Sequence, residues 1–373
     1  MTNELPLDFQ EQVIFRLRSL YNRYGYSQYK MNKFEEYDLY AHNKDFLISD
    51  SVITFMDTNG RLMALKPDVT LSIVKNSKDD PDTVQKLYYN ENVYRVSKGA
   101  AGFKELAQVG LECLGSIDDY CICEVLTLAL ESLKAISPDS ILDISHMGLL
   151  SGLIDGLDIP AAKKDPLLKC IGEKNLHELV AVCRSCGIPE DGISRLKQAV
   201  SACGAPDKVL PQLQALLSGI TDTAPLEQLM RIIDGLDGGL KSMLRFDFSV
   251  VDDIHYYTGI VFKGFIPSIP NSILSGGQYD RLMQKMQRRG GAVGFAVYMD
   301  TLDRLGVQRK AYDVDTVLLY EEGADLTVLR AQREALTTKG ENVMVQRYLP
   351  ENIRCRQILK LQGSEVEILE NNA

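Results

Sequence analysis

Several features that would assign a chain to a class at once are missing from these 373 residues. No apolar run approaches the roughly 18–20 residues that cross a bilayer, so no membrane segment is expected. The first residues, MTNELPLDFQEQ, are polar and acidic, with no basic start leading into an apolar stretch, which argues against a secretory signal. The eight cysteines lack the spacing of a disulfide framework and read as reduced thiols in a cytoplasmic protein. Cys183 and Cys186 form a lone CxxC, but a zinc site needs a second ligand pair at defined spacing. His177 and Cys203 lie nearby at a spacing that fits no finger, so an ordinary helical segment is expected and no metal or organic cofactor is predicted. Basic residues are also in deficit: 41 Lys and Arg against 51 Asp and Glu give a net charge of −10. Neutralising phosphates supplies most nucleic-acid affinity, so this balance argues against a protein whose task is to hold tRNA. There is no internal repeat and no low-complexity tract.

The length predicts two domains, or one large domain with an appendage. Apolar residues Val13, Ile14, Leu17 and Leu20 have helical spacing over 8–24, with Gly25 as a stop. VITFM, the turn DTNG and LMAL (52–65) read as a β-hairpin. A helix follows over 70–76, then strands over 86–95 and 106–114, a long apolar helix over 118–136 and the strand ILDISH at 141–146. Composition changes at about 149, and the pattern is helical to 240, predicting a helical insertion over about 155–240. Strands return from 244 (LRFDFSVV, then YYTGIVFKGF), followed by the Gly-rich ILSGGQYDRL and by GGAVGFAVYMDTLDRL, a strand leading into a helix. Residues 306–373 form a separate small α/β piece, with strands at DVDTVLLYE, ENVMVQRY and EVEILE and a helix between the first two. Antiparallel strands with helices inserted between them predict an α+β core over 1–305.

Each motif taken singly has an ordinary structural reading. KPDVT (66–70) can end a strand, Gln108 and Glu112 can mark a solvated strand face, YYTG (256–259) can be core aromatics before a turn, and Gly276-Gly277 can be a hairpin turn. Their order and spacing carry more. LKPDVT, VYR with QVGLE, YYTGIVF, SGGQYDRL and AVGFAV together resemble the class II histidyl-tRNA synthetase catalytic core over roughly residues 8–305, apart from the insertion. The resemblance implies a six- or seven-stranded antiparallel sheet flanked by helices, and a C-terminal piece similar to a shortened anticodon-binding domain.

Amino-acid activation by ATP needs cations placed on the moving negative charge. The family's motif-2 arginine is matched by Arg95, but the acidic residue two positions on is Ser97. The arginine of RGLDYYTG aligns with Asp252, and that of GFAxGxxR with Thr301, whose motif glycine is Tyr298. The arginine of the Gly-Gly-Arg-Tyr-Asp turn is Gln278. Arg304 lies three residues past Thr301, about 4.5 Å further along a helix axis, and is a poor replacement. Two lost arginines cost many orders of magnitude in rate.

The amino-acid pocket is better kept. The resemblance implies that the α-ammonium of histidine meets Asp68 and Thr70 with Gln108 and Glu112, and that its ring meets Tyr257 and Glu112 with Tyr256 alongside; Arg95 completes the set. Asp68 stands where the family has glutamate, which implies a looser pocket. A chain that loses phosphate clamps and keeps an amino-acid pocket is similar to the regulatory subunits of ATP phosphoribosyltransferase, a non-catalytic branch of this family. DISHMGLL (143–150) and FDFSVV (246–251) resemble the same branch, although His146 also reads as a satisfied strand-end histidine. That branch implies a short-form ATP phosphoribosyltransferase catalytic subunit as partner, L-histidine as effector and a homodimer through the synthetase-like core. Asn32, where the family's motif 1 has proline, weakens the dimer expectation. The alternatives are a histidyl-tRNA synthetase, against which Asp252 and Thr301 speak, and a synthetase-like protein with another ligand or partner.

Overall fold

The structure, a computed structural model, describes residues 7–47, 51–80, 82–96, 102–157, 159–217, 222–251, 256–304 and 312–372. The chain forms two compact units that divide between Gly306 and Val307.

Helix α1 (Phe9–Arg23) starts at a capping box in which Asp8 and Glu11 each accept the other's backbone amide. Val13, Leu17, Leu20 and Tyr21 form its buried face. Strands β1 (Ser27–Gln28) and β2 (Phe34–Glu36) and helix α2 (Tyr37–Ala41) follow. β3 (Thr54–Met56) and β4 (Leu62–Leu65) form the hairpin, and Asp57 ties its turn by accepting the amides of Asn59 and Arg61 at 2.8 Å each. Gly60 sits in that turn at φ +77°, where a side chain would be strained. β2, from the polar KMNKFEEYDLY segment, pairs with β4 to make a three-stranded sheet. Then come α3 (Thr70–Asn76), the long antiparallel pair β5 (Val84–Val96) and β6 (Phe103–Gly115), α4 (Asp119–Ile136), β7 (Ile141–His146) and α5 (Met147–Asp155).

The insertion contains α6 (Ala161–Gly172), α7 (Leu176–Ser185), α8 (Glu190–Ser201), β8 (Cys203–Gly204), α9 (Pro206–Leu217), α10 (Ala224–Asp234) and α11 (Gly238–Lys241). It is not wholly helical, because β8 pairs with β9 (Leu244–Asp247) at the end of the main sheet. The strand expected over 244–251 stops at Asp247, whose carboxylate accepts the amide of Ser249 at 2.8 Å and turns the chain. β10 (Ile260–Phe265), β11 (Leu274–Gln278), α12 (Asp280–Lys285) and β12 (Gly291–Tyr298) complete the core. The helix expected after β12 is a single 3-10 segment, Met299–Arg304.

The main sheet has nine strands among the described residues, in the order β1-β5-β6-β12-β11-β10-β7-β9-β8. It is mixed: β1 runs parallel to β5, and β7 parallel to β9. The expected antiparallel sheet is its centre, from β5 to β7. Side chains alternate between the faces of a sheet, and here the two faces differ sharply. Tyr88, Leu111, Phe295, Phe262 and Ile144 lie on one face, buried with α1 and α4 in the main core. The opposite face carries polar groups and glycines.

The second unit has β13 (Val314–Leu319), α13 (Leu326–Thr338), β14 (Val343–Gln346), β15 (Cys355–Gln362) and β16 (Glu365–Asn371), in the sheet order β14-β13-β15-β16. β15, which pairs with both β13 and β16, was not expected from the sequence. A bulge at Ile358/Leu359 breaks its alternation and hides the period of two. No helix among the described residues is long and apolar enough to cross a membrane.

Candidate functional site

The strand registers set out three rows on the polar face of the main sheet. In the first, Glu112 pairs with Gly294, Gly294 with Gly277, and Gly277 with Val261. Two residues along, Tyr89 pairs with Gly110, and Ala296, Ser275 and Lys263 continue the row. In the third, Glu91, Gln108 and Tyr298 stand side by side. The glycines are obligatory here. A Cβ on Gly294 would lie 1.8 Å from Glu112 Oε2, one on Gly277 2.6 Å from the Tyr257 ring, and one on Gly110 2.5 Å from the Tyr89 hydroxyl. They form a floor on which the larger side chains lie flat.

Above this floor is a cavity of about 350 Å³ lined by Asp68, Thr70, Arg95, Gln108, Glu112, Tyr256 and Tyr257, so all seven residues singled out in the sequence are brought to one place. Asp68 comes from the segment between β4 and α3, Thr70 from the start of α3, Arg95 from β5, Gln108 and Glu112 from β6, and the two tyrosines from the approach to β10. Glu112 is 2% exposed, and both its oxygens are occupied. Thr70 Oγ1 donates to Oε1 at 2.8 Å and the Tyr279 hydroxyl to Oε2 at 2.5 Å. Burial pushes its carboxyl up to about 8, against the pull of the two hydroxyl donors, and the nearby charge of Asp68 adds to the rise. Burial also raises Asp68, opposed by the amide of Leu71, which it accepts at 2.9 Å, and by the charge of Arg95. Thr70 therefore supports Glu112, which modifies the expectation that its hydroxyl faces the ligand. Lys66, 1% exposed, is paired with Glu91. The aromatic wall is continuous: Tyr256 meets Tyr257 at 4.8 Å, Tyr279 at 5.6 Å and Phe46 at 5.9 Å between ring centroids.

A carboxyl raised to about 8, a second acid raised by burial, an aromatic wall and a guanidinium suit a small zwitterion carrying a cationic or hydrogen-bonding ring. Thr301 donates its hydroxyl to the Tyr298 carbonyl at 2.6 Å, and the amide of Gln278 donates to Asp280 at 2.7 Å. Ser97 and Asp252 lie outside the described residues. His146 is on the apolar face of the sheet, where its Nδ1 accepts the Gly148 amide at 3.1 Å and caps α5; burial lowers its pKa to about 4. It is a structural residue turned away from the cavity. Cys183 is buried within α7, and among the described residues no group of three His, Cys, Asp or Glu side chains could hold a metal ion.

The sequence reading missed Tyr279, Tyr89, Phe46, Lys263 and Ser275, which also line the cavity. Gly276 and Gly277, which also read as a hairpin turn, lie within strand β11; Tyr279 comes just after that strand, but nothing in its local sequence indicates that its hydroxyl reaches Glu112, 167 positions away.

A family model for histidyl-tRNA synthetase matches residues 7–302. An ATP phosphoribosyltransferase regulatory subunit from Oceanobacillus iheyensis is 27% identical over 99% of this chain and 91% of its own length. One from Alkaliphilus metalliredigens is 28% identical over 79% of this chain and 77% of its own length. Among solved structures, an ATP phosphoribosyltransferase regulatory subunit/histidyl-tRNA synthetase from Bacillus halodurans has a TM-score of 0.74 at 23% identity and covers 93% of each chain. A chain of the ATP phosphoribosyl transferase (HisG:HisZ) complex from Thermotoga maritima has a TM-score of 0.61 at 20% identity, covering 78% of this chain and 97% of that one. At those identities the structural likeness speaks for the fold alone.

Proposed function

We propose, for a chain that belongs to the histidyl-tRNA synthetase family, the role of a non-catalytic regulatory subunit of ATP phosphoribosyltransferase. It supports a short-form catalytic subunit that transfers phosphoribosyl from phosphoribosyl pyrophosphate to ATP, the first step of histidine synthesis. Histidine binds in the cavity and biases the complex toward an inactive state, a coupling of about 1–3 kcal/mol between sites. The effector acts through its different affinity for the two states.

The observation that carries this reading is the asymmetry of the cavity. One side gathers the acids, with Glu112 held by Thr70 and Tyr279, and with Asp68, whose carboxyl feels the charge of Arg95. Its phosphate side has Thr301 and Tyr298 where an activating enzyme of the family has arginine and glycine. The names of the relatives from Oceanobacillus and Alkaliphilus agree with this role. A homodimer in the cytoplasm belongs to the same proposal. The three-stranded sheet offers apolar surface for it in Phe34 and Phe55, 49% and 38% exposed and stacked edge to face at 5.3 Å.

The test is calorimetric titration of the chain with L-histidine, alone and then with the short-form catalytic subunit of the same organism, alongside a phosphoribosyl-transfer assay. Saturable binding, with transferase activity that rises on mixing and falls with histidine, is expected. A purified chain that charges tRNA with histidine would overturn the proposal.

A further inference from the structure

The floor of glycine and alanine that runs from Glu112 ends at Tyr298. This residue stands next to Gln108 in the third row, and its ring crosses toward β11, where its hydroxyl meets Ser275 Oγ at 2.5 Å. Ser275 pairs with Ala296, so the bond runs diagonally over the sheet and bars that end of the cavity. The bar is fixed at its base as well. The Tyr298 amide donates to the Ile273 carbonyl at 2.8 Å, and its carbonyl accepts from Thr301 Oγ1 at 2.6 Å. Arg95 lines the same cavity as Tyr298 and brings a cation to it. A cavity of about 350 Å³ is at the small end of the roughly 300–1,000 Å³ typical of ligand sites.

We infer that Tyr298, braced by Ser275, sets the length of the ligand: the cavity admits an α-amino acid with a free carboxylate beside Arg95 and rejects the same amino acid extended at its carboxyl end. The inference rests on the amino-acid reading of the cavity given above. An extended ligand has to push the ring aside, and the ring cannot move without breaking its bond to Ser275 and leaving two partly buried hydroxyls unpaired. The carboxylate of a free amino acid stops short of the bar and faces a guanidinium, the geometry that favours it.

Calorimetric titrations of the full chain with L-histidine, L-histidinamide and L-histidyl-glycine test this, together with other free amino acids and their glycine-extended forms. The wild-type chain is expected to bind the dipeptide at least about 100-fold more weakly than histidine, a rejection built from a clash. Tyr298→Ala is expected to narrow that gap at least about 10-fold without improving the amide, which lacks the charge but adds no length. Ser275→Ala and Tyr298→Phe each remove the bond that holds the ring, and each narrows the gap by less. A wild-type gap under about threefold overturns the inference, as does a gap that neither Tyr298→Ala nor Ser275→Ala changes. If Tyr298→Ala does not fold, the wild-type and Ser275→Ala titrations decide alone. If a different free amino acid binds and its extended form does not, Tyr298 keeps its role and the histidine reading fails. If no free amino acid binds, both fail.

Discussion

Replacing Glu112 with glutamine removes a charge from the most enclosed polar position of the cavity while keeping shape. Its neighbours are hydroxyls, which both donate and accept, so the amide oxygen can take one hydrogen bond and the amide NH₂ can give the other. The main effect is then electrostatic. With its carboxyl raised to about 8 against an ordinary 4.5, the folded chain holds a proton that the unfolded chain has lost across this interval. Stability therefore falls as pH rises from about 4.5 to about 8 and levels off above, because the unfolded state binds fewer protons. At about 1.4 kcal/mol per pH unit the full interval corresponds to at most ~5 kcal/mol. Water at the cavity mouth reduces this, so a loss of about 2–3 kcal/mol between pH 5.5 and 9 is expected, several degrees in melting temperature. Glu112→Gln should melt with the wild type near pH 5 and above it at pH 9, while binding histidine about 10- to 100-fold more weakly, the usual worth of a hydrogen bond to a charged partner. Thermal melts of both proteins from pH 5 to 9, with calorimetry at pH 8, measure the two effects. Parallel melting curves across that range would refute the claim that Glu112 carries a buried, reluctant charge.

Other consequences of the same geometry are open to measurement. Tyr279→Phe removes a donor from the charged form of Glu112, so its carboxyl should rise further and the pH-dependent loss of stability should extend past pH 8 in the same melts. Gly294→Ala forces a methyl against Glu112 Oε2; calorimetry should show histidine binding abolished, and melts a loss of about 1–3 kcal/mol or more. Arg95→Gln takes away the charge that opposes the burial of Asp68, raising that carboxyl, and should weaken histidine binding by about 10-fold or more and lower the melting temperature at neutral pH. Histidine affinity should rise from pH 6 to 8 as Glu112 becomes easier to ionise, and the part of that rise owed to Glu112 should vanish in Glu112→Gln, which calorimetry at matched pH can separate from titration of the ligand.

Local patterns in the sequence were enough to fix most elements. The α1 periodicity with its Asp8–Glu11 cap and the turn at Asp57 and Gly60 are short-range features, settled by sterics and hydrogen bonds within a few residues. The motif order also marked Asp68, Thr70, Arg95, Gln108, Glu112, Tyr256 and Tyr257 as candidates for one site, and those residues do line one cavity. What no local pattern carries is register across the sheet. Only pairing β6 with β12, and β12 with β11, puts Gly294 under the Glu112 carboxylate, stacks Tyr257 on Gly277 and lays Tyr298 across to Ser275. The protonation of Glu112 was equally out of reach, because desolvation depends on everything folded around it, including Tyr279 from a distant strand end. The mixed edges of the main sheet and the hidden strand β15 belong to the same class: short strands and bulged strands have too little intrinsic preference to be read alone, and their partners decide them. The sequence by itself determined which acidic, basic and aromatic residue types were available to one cavity. The tertiary structure decided how deep that site is, how its acids are charged and where it ends, because each of these is set by contacts between strands far apart in the chain.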